Sequence, residues 1–223
     1  RTVALWEPPL MEGLAGEHGA PVRRPAPVEA SAIMASLVAE GARTLTFVRS
    51  RAGAESTALR ARERLASEHG ARGLELAGRI AAYRAGYLAD DRRELERGLA
   101  EGELVGVAST SALELGVDIS GLDAVVCAGF PGTIASFWQQ AGRAGRRGQG
   151  ALVMLVARDD PLDTYLVHHP EALLGRPVEA TVTDPRNPVL LAGQLRCTVS
   201  ERPMSHDEAR AWGVVISTDT AFL

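Results

Sequence analysis

The sequence predicts an α/β fold in which helices cover both faces of a doubly wound, parallel sheet. Segments with helical spacing of apolar residues alternate with short apolar segments along most of the chain. Three of these segments, residues 104–108, 122–129 and 151–157, are near-continuous hydrophobic runs. Such runs are typical of strands that are buried on both faces, as in parallel sheets.

The N-terminal part begins with a short predicted strand at residues 2–6. Residues 7–27 carry five prolines and are predicted to be a loop. Helical spacing of apolar residues predicts a helix over Val28–Glu40, which Gly41 ends. The apolar segment TLTFV at residues 44–48 is predicted to be a buried strand.

Further helices and strands alternate through the middle of the chain. Residues 54–68 form a polar, Arg-rich segment that predicts a helix, and residues 79–85 predict a strand. A helix is expected over Asp90–Gly102, with Asp90 as its N-cap. Another is expected over Thr133–Arg146, with an apolar packing side.

After residue 160 the pattern becomes helical and irregular, so we expect a core domain over residues 1–160 and a helical extension over 161–223. Asp160 and Pro161 suit the N-cap and first position of a helix. The acidic residues Asp159, Asp160 and Asp163 are therefore interpreted as a helix N-terminus, where Asp is favoured, and not as a catalytic cluster.

The composition, 46% apolar and 23% charged residues, is that of an ordinary soluble globular protein. No apolar run approaches the roughly 18 residues of a membrane helix, and the N-terminus does not resemble a signal peptide. We expect a cytoplasmic protein that does not bind membranes. Two cysteines are too few for a disulfide framework or a zinc site, and Cys127, within an apolar run, is predicted to lie in the core.

The chain contains 24 arginines and no lysine, and its net charge is −4. A phosphate-binding P-loop requires Lys, so this sequence holds no working P-loop. Residues 41–100 contain 12 Arg against 8 acidic residues. A local basic patch of this kind can bind phosphate although the whole chain is acidic.

The segment QQAGRAGRR at residues 139–147 carries two arginines three positions apart, Arg143 and Arg146. They are expected on one face of a helix end, beside glycines whose missing side chains let a phosphate approach. The guanidinium group of Arg can donate two hydrogen bonds to phosphate oxygens, and it keeps its charge. The pattern therefore predicts arginines that act on a triphosphate. The alternative is a glycine-rich helix end that merely turns the chain.

The segment STSALELGVDI at residues 109–119 directly follows a predicted strand. Open α/β sheets bind ligands at the carboxyl ends of their strands. The hydroxyl groups of Thr110 and Ser111 are therefore placed to hold a nucleic-acid phosphate, and Asp118 to reach a ribose hydroxyl. The alternative is a helix cap followed by an Asp that organises a loop.

Together these two segments resemble motifs V and VI of superfamily 2 helicases. TLTFVRSR at residues 44–51 is similar to motif IV, and YRAGY at residues 83–87 to the loop between motifs IV and V. The succession RAGYLADDRRELE, TSALELGVDI and GFPGTIASFWQQAGRAGRRG resembles the MrfA/YprA-type DEAD/DEAH-box helicases, bacterial relatives of eukaryotic RecQ-like repair helicases. The resemblance covers nearly the whole chain.

The resemblance implies that residues 1–160 form the second RecA-like lobe, or helicase C-terminal domain, of an ATP-dependent DNA helicase that acts in repair. The extension at 161–223 would then begin a further domain of winged-helix type. It also implies single-stranded DNA as partner and 3′–5′ movement. ATP with Mg²⁺ would be bound mainly by the first RecA-like lobe of the same full-length chain, because neither GxxxxGKT nor DExH occurs here. We expect this chain alone to be inactive as an ATPase.

The resemblance also implies roles for individual residues. Arg143 and Arg146 would contact the γ-phosphate, with Arg146 as the arginine finger. Four residues would face the nucleotide or the other lobe: Gln139, Gly116, Asp118 and Gly142. Seven would face the nucleic acid: Arg49, Ser50, Arg51, Arg84, Gly86, Thr110 and Ser111. Many members of the wider superfamily carry His-Gly at Arg84. No metal site is implied within the chain.

Two alternatives remain open from the sequence. An RNA-dependent ATPase would carry the same motifs, because both nucleic acids are contacted through phosphates. A non-catalytic nucleic-acid-binding or docking module would keep the fold without the chemistry. The intact Arg143, Arg146 and Asp118 favour the motor over the docking module.

Overall fold

The computed structural model describes residues 1–16, 19–115, 119, 122–145, 150–180, 184 and 187–213. The described strands are β1 (Thr2–Trp6), β2 (Leu10–Ala15), β3 (Pro21–Arg23), β4 (Thr44–Phe47), β5 (Ile80–Tyr83), β6 (Gly106–Ser109), β7 (Ala124–Ala128) and β8 (Leu152–Val156). The described helices are α1 (Ala26–Ala39), α2 (Arg51–Glu68), α3 (Gly70–Gly78), α4 (Ala89–Glu101), α5 (Ile134–Ala141), α6 (Pro161–His168), α7 (Pro170–Leu174), α8 (Pro188–Glu201) and α9 (His206–Ala211).

Six of the strands form one sheet in the order β1-β8-β7-β4-β6-β5. Every pairing in it is parallel, as the near-continuous apolar runs predict. Because all six strands run in the same direction, their carboxyl ends meet along one border of the sheet, where α/β folds bind ligands.

Helices cover both faces of this sheet. Alternate strand residues point to opposite faces, so Val125 and Cys127 of β7 pack with Phe137 of α5 on one side. Val126 packs on the other side with Met34 of α1 and with α2. Burial on both faces stabilises the strands and explains why their sequences are continuously apolar. Cys127 is fully buried, which confirms its predicted place in the core.

The prediction of a loop over residues 7–27 is wrong in part. Within it, β2 and β3 form an antiparallel hairpin, and two of its three glycines, Gly13 and Gly19, adopt left-handed φ angles of 77° and 78°. The five prolines lie at the borders of the hairpin and of α1, where a missing N–H is tolerated. The prolines therefore mark the ends of elements and do not exclude strands.

Two details of the predicted helices also differ. The α3 helix lies in a segment for which the sequence predicts no element. The N-cap of α4 is Leu88, without a side-chain cap, and Asp90 lies two residues later, in the first turn. There the Asp90 carboxylate still interacts favourably with the helix N-terminus and pairs with Arg93.

The helix α5, which precedes the arginine-rich segment, is shorter than predicted, since it begins after the N-cap Thr133 and ends at Ala141. The chain then forms an isolated parallel bridge between Ala144 and Leu122. Gly145 follows with a φ of 87°. Arg143 therefore lies beyond the end of the helix.

The first compact unit comprises Arg1–Glu179 and the second Ala180–Leu223, whereas the sequence places the boundary after residue 160. The reason lies in α6, whose buried Asp163 accepts hydrogen bonds from the backbone of Phe130 (3.1 Å) and Arg158 (2.9 Å). Asp160 caps this helix through the Asp163 backbone N–H, as predicted. In the second unit, α9 begins with a capping box.

Candidate nucleic-acid interface

The segments expected to contact nucleic acid lie at the carboxyl ends of three neighbouring strands. Residues 49–51 follow β4, Arg84 follows β5, and Thr110 follows β6. These strands are adjacent in the order β4-β6-β5, so the parallel topology brings the three segments to one border. A cleft of about 150 Å³ opens there, lined in part by Arg49, Ser111 and Gln140.

The Arg49–Arg51 segment forms the start of α2. Ser50 is the N-cap, and its hydroxyl accepts a hydrogen bond from the Gly53 N–H at 2.9 Å. Arg49 and Arg51 are exposed on either side of this cap. The hydroxyl of Ser50 thus orders the helix, while the two guanidinium groups and the positive end of an 18-residue helix face solvent.

Arg84 is held by a small polar cluster on α2 and the loop after β5. Its Nε donates to Glu55 Oε1 at 3.0 Å, and the Tyr87 hydroxyl donates to the same oxygen at 2.6 Å. The guanidinium carbon of Arg84 lies 4.5 Å from the centre of the Tyr87 ring. The hydrogen bond from Tyr87, and then Arg84, hold the pKa of the Glu55 carboxyl below its ordinary value. Glu55 is therefore an anion that fixes the direction of Arg84.

Gly86 lies where two guanidinium groups approach one another. A Cβ atom at this position would stand 2.8 Å from Arg84 Nη1 and 3.7 Å from Arg51 Nη1. A side chain would therefore push Arg84 away from its place. The absent side chain lets two cations gather at the strand border, an arrangement that suits a phosphate.

Thr110 and Ser111 form the turn after β6. Thr110 is the N-cap of a short 3₁₀ helix, Ser111–Leu113, and its hydroxyl accepts from the Ala112 N–H at 3.4 Å. Ser111 is exposed and lines the cleft. Of the two, Ser111 is the residue that lines the cleft, whereas the Thr110 hydroxyl orders the turn.

Arg143 contacts the segment that follows this turn. Its Nη2 donates to the Glu114 carbonyl at 2.8 Å, and its Nη1 donates to the Ile119 carbonyl at 3.2 Å. The side chain is partly buried. Arg143 thus joins the arginine-rich segment to the loop after β6 in this state of the protein.

The remaining predicted residues of the arginine-rich segment lie around α5. Gln139 is exposed on this helix, and Gly142 is its C-cap, with a carbonyl that accepts from Arg1 Nη2 at 3.2 Å. The helix N-terminus is held by Glu179, whose carboxylate accepts from the backbone of Ile134 (2.6 Å) and Ala135 (3.0 Å). Gly116, Asp118 and Arg146 lie outside the described residues.

Glu114, to which sequence analysis assigns no role, connects the segment after β6 to α5. Its carboxylate accepts from Ser136 Oγ at 2.6 Å and from Gln140 Nε2 at 3.0 Å. Gln140 lies on the buried side of α5, between Phe137 and Ala141. A polar residue on an apolar helical stripe is a signal for a buried hydrogen bond, and it points to Gln140 but not to its partner.

Residues 29–148 match the family model described as helicase conserved C-terminal domain. The chain is 42% identical over 187 residues to the ATP-dependent helicase YprA of Bacillus subtilis, covering 84% of this chain and 24% of that protein. It is 36% identical over 214 residues to the ATP-dependent helicase HRQ1 of Saccharomyces cerevisiae, covering 94% of this chain and 19% of that protein. The chain thus spans less than a quarter of either relative.

Solved structures of helicases share the fold of this chain. The helicase MrfA bound to DNA and AMPPNP superposes with a TM-score of 0.79 at 38% identity, over 96% of this chain and 28% of that chain. The helicase Lhr of Mycobacterium smegmatis, bound to ssDNA and AMP-PNP, has a TM-score of 0.70 at 24% identity, over 94% and 26%. The predicted RecA-like architecture is confirmed.

Proposed function

Because the chain belongs to the helicase conserved C-terminal domain family and is related to YprA, HRQ1 and MrfA, we propose that it is the second motor lobe of an ATP-dependent DNA helicase. ATP would bind between this lobe and the first RecA-like lobe of the same full-length chain. One observation carries the proposal: the Arg49–Arg51, Arg84 and Thr110–Ser111 segments converge at one border of the sheet.

This border would bind the phosphates of single-stranded DNA. Arg51 and Arg84 supply cations beside Gly86, while the start of α2 supplies oriented backbone dipoles. Arg49 and Ser111 share a cleft. Contacts to phosphate position a strand without selecting a sequence, which suits a motor that moves along DNA.

The nucleotide side of the lobe would be formed by the arginine-rich segment, with Gln139 of α5, the C-cap Gly142, and Gly116 and Asp118 of the segment after β6. ATP, with Mg²⁺ held mainly by the first lobe, supplies free energy through hydrolysis. The two carbonyl contacts of Arg143 support a positioning role for this residue and leave the finger to Arg146. An arginine finger contributes roughly 10³–10⁵ in rate to phosphoryl transfer.

Movement would follow from the connection between the two sides. Glu114 and Arg143 join the loop after β6 to α5, so closure around ATP would shift the DNA-binding turn at Thr110 and Ser111. Opening after hydrolysis would return it, and each cycle would move the strand, 3′ to 5′ by resemblance. DNA repair is the proposed biological role, by the same resemblance.

The rate of ATP hydrolysis by the full-length protein, with matched single strands of DNA and RNA, tests this proposal. We expect DNA to stimulate hydrolysis strongly and RNA weakly. Stronger stimulation by RNA would replace the proposal with an RNA-dependent ATPase. No hydrolysis with either strand would replace it with a non-catalytic binding module.

A further inference from the structure

A groove lies along the free edge of the sheet, and one end of it reaches Glu55 and Tyr87 of the Arg84 cluster. Its floor is the edge strand β5, which pairs only with β6 among the described strands. Its walls are α2 and α4, which pack on opposite faces of the sheet and extend past β5. The groove encloses about 1010 Å³.

The floor offers backbone hydrogen-bonding groups. The Arg79 carbonyl accepts from Val105 N–H at 2.9 Å and so faces β6. Because backbone groups of successive strand residues point to alternate sides, those of Ile80 and Ala82 face the groove. Arg62 already donates through Nε to the Ile80 carbonyl at 2.8 Å, so it closes one end. The N–H and C=O of Ala82 are left for an added strand.

The two walls differ in chemistry. On α2 the groove is lined by Ala52, Ser56 and Leu59, whose side chain is 54% exposed, and also by two charged residues. These are Glu55, which pairs with Arg84, and Arg62, which donates to the Ile80 carbonyl. On the opposite side Asp91 and Glu94 of α4 face the groove, and Glu103 follows them. The α2 wall is thus apolar around Leu59, where Glu55 and Arg62 are already hydrogen-bonded within the protein, and the opposite wall carries three carboxylates.

A glycine widens the acidic wall. Gly98 lies inside α4 and lines the groove, although glycine in a helix interior costs about 1 kcal/mol relative to alanine. A Cβ atom there would meet Leu104 at 3.4 Å. This is ordinary van der Waals contact, so the effect of the glycine is to leave the groove wider at this level.

We propose that this groove binds an extended segment of a partner protein, which adds as a strand to β5 and alternates apolar with basic residues. In a strand, successive side chains point in opposite directions. Alternate residues of the added strand would therefore face Leu59 on one wall and Asp91, Glu94 and Glu103 on the other. Main-chain bonds to Ala82 would supply affinity, and the unequal walls would supply specificity.

A labelled hexapeptide of alternating arginine and valine, titrated into the full-length protein, tests the proposal, with a glutamate–valine hexapeptide as the matched control. We expect binding of the first peptide only. Leu59→Glu and Glu94→Arg should each weaken it by about tenfold or more, a difference of about 1.4 kcal/mol. Leu74→Glu on α3 and Glu101→Arg on α4 alter exposed residues outside the groove and should leave binding unchanged.

The rate of hydrogen exchange at the Ala82 amide distinguishes strand addition from binding by charge attraction alone, which would leave this rate unchanged. The bound peptide should slow this exchange, and Leu59→Glu should abolish the effect. Equal binding by Leu59→Glu and the unaltered protein would overturn the proposal. Slow hydrogen exchange of the Ala82 amide in the absence of peptide would also overturn it, because another segment of the same protein would then occupy the groove. If the protein is a dimer and Leu59→Glu dissociates it, the groove binds a second copy of this chain and not a partner protein.

Discussion

The side-chain amide of Gln140 donates a hydrogen bond to the carboxylate of Glu114 at 3.0 Å. This contact joins the helix that precedes the arginines to the loop that follows β6. Ser136 donates to the other carboxylate oxygen at 2.6 Å. One carboxylate therefore connects the predicted nucleic-acid side of the lobe to its predicted nucleotide side.

Glu114→Ala should destabilise the lobe, because Gln140, only 5% exposed, would lose its acceptor. A buried polar group without a partner costs about 1–3 kcal/mol. Urea unfolding of the variant measures this loss directly. Glu101→Ala, at an exposed position of α4, is the matched control and should change the free energy of unfolding by less than about 0.5 kcal/mol. Equal stability of the two variants would contradict the role of Glu114.

Asp163→Ala should have a larger effect, because Asp163 is fully buried and pairs with the Arg158 guanidinium at 2.8 Å. It also accepts from the Phe130 backbone at 3.1 Å. Removing one partner of a buried ion pair costs about 3–5 kcal/mol. Thermal unfolding should show a clearly lowered midpoint. Asp159→Ala, at an exposed position of the same turn, should unfold like the unaltered protein, and a similar loss there would refute the assignment.

The two cysteines should differ in reactivity. Burial, and then the charge of Glu114, raise the pKa of the Cys127 thiol from 9.0 to about 12, whereas Cys197 is exposed. With iodoacetamide near pH 8.5, mass spectrometry of the native protein should find Cys197 alkylated and Cys127 unmodified. Alkylation of both at similar rates would contradict the burial of Cys127.

The raised pKa of Cys127 predicts how the free energy of unfolding depends on pH. In the unfolded chain Cys127 loses its proton near pH 9, but in the folded protein only near pH 12. Unfolding therefore releases a proton between these values, and the contribution of Cys127 to stability, complete below pH 9, is lost as the pH rises through this window. Cys127→Ala should lessen the decline.

Arg84→Ala should weaken binding of single-stranded DNA by the full-length protein and flatten its dependence on salt. Each phosphate contact on a single strand contributes about −0.7 to the slope of log K against log salt. The slope should therefore become less negative by about 0.7 if Arg84 contacts one phosphate. Arg64→Ala, on a later turn of α2 and paired with Glu68, is the control and should keep the slope. An unchanged slope in Arg84→Ala would remove this residue from the interface.

The sheet and most helices could be predicted because their sequences are dominated by burial. Segments such as residues 122–129 are apolar since helices cover them on both sides, and that pattern is visible without tertiary information. The hairpin at Leu10–Arg23 could not be predicted in this way. Its strand β2 is exposed along its whole length, so it carries no pattern of alternating burial, and five prolines obscured it.

Candidate site residues could be named from the sequence where local composition carries the chemistry, but not where distant side chains meet. The arginines of residues 139–147 and the hydroxyl residues after β6 stand out by composition and spacing. The partners Glu55 and Glu114 do not, because each becomes meaningful only when the fold places it beside Arg84 or Gln140. The early end of α5 likewise depends on the bridge between Ala144 and Leu122, which is a long-range contact.

The rate of DNA-stimulated ATP hydrolysis in the Arg146→Ala variant of the full-length protein tests the central claim most directly. The account predicts a loss of about 10³-fold or more, with binding of single-stranded DNA retained, while Arg147→Ala, the neighbouring arginine, keeps most of the rate. Near-normal turnover by Arg146→Ala would contradict the proposal that this lobe supplies the arginine finger.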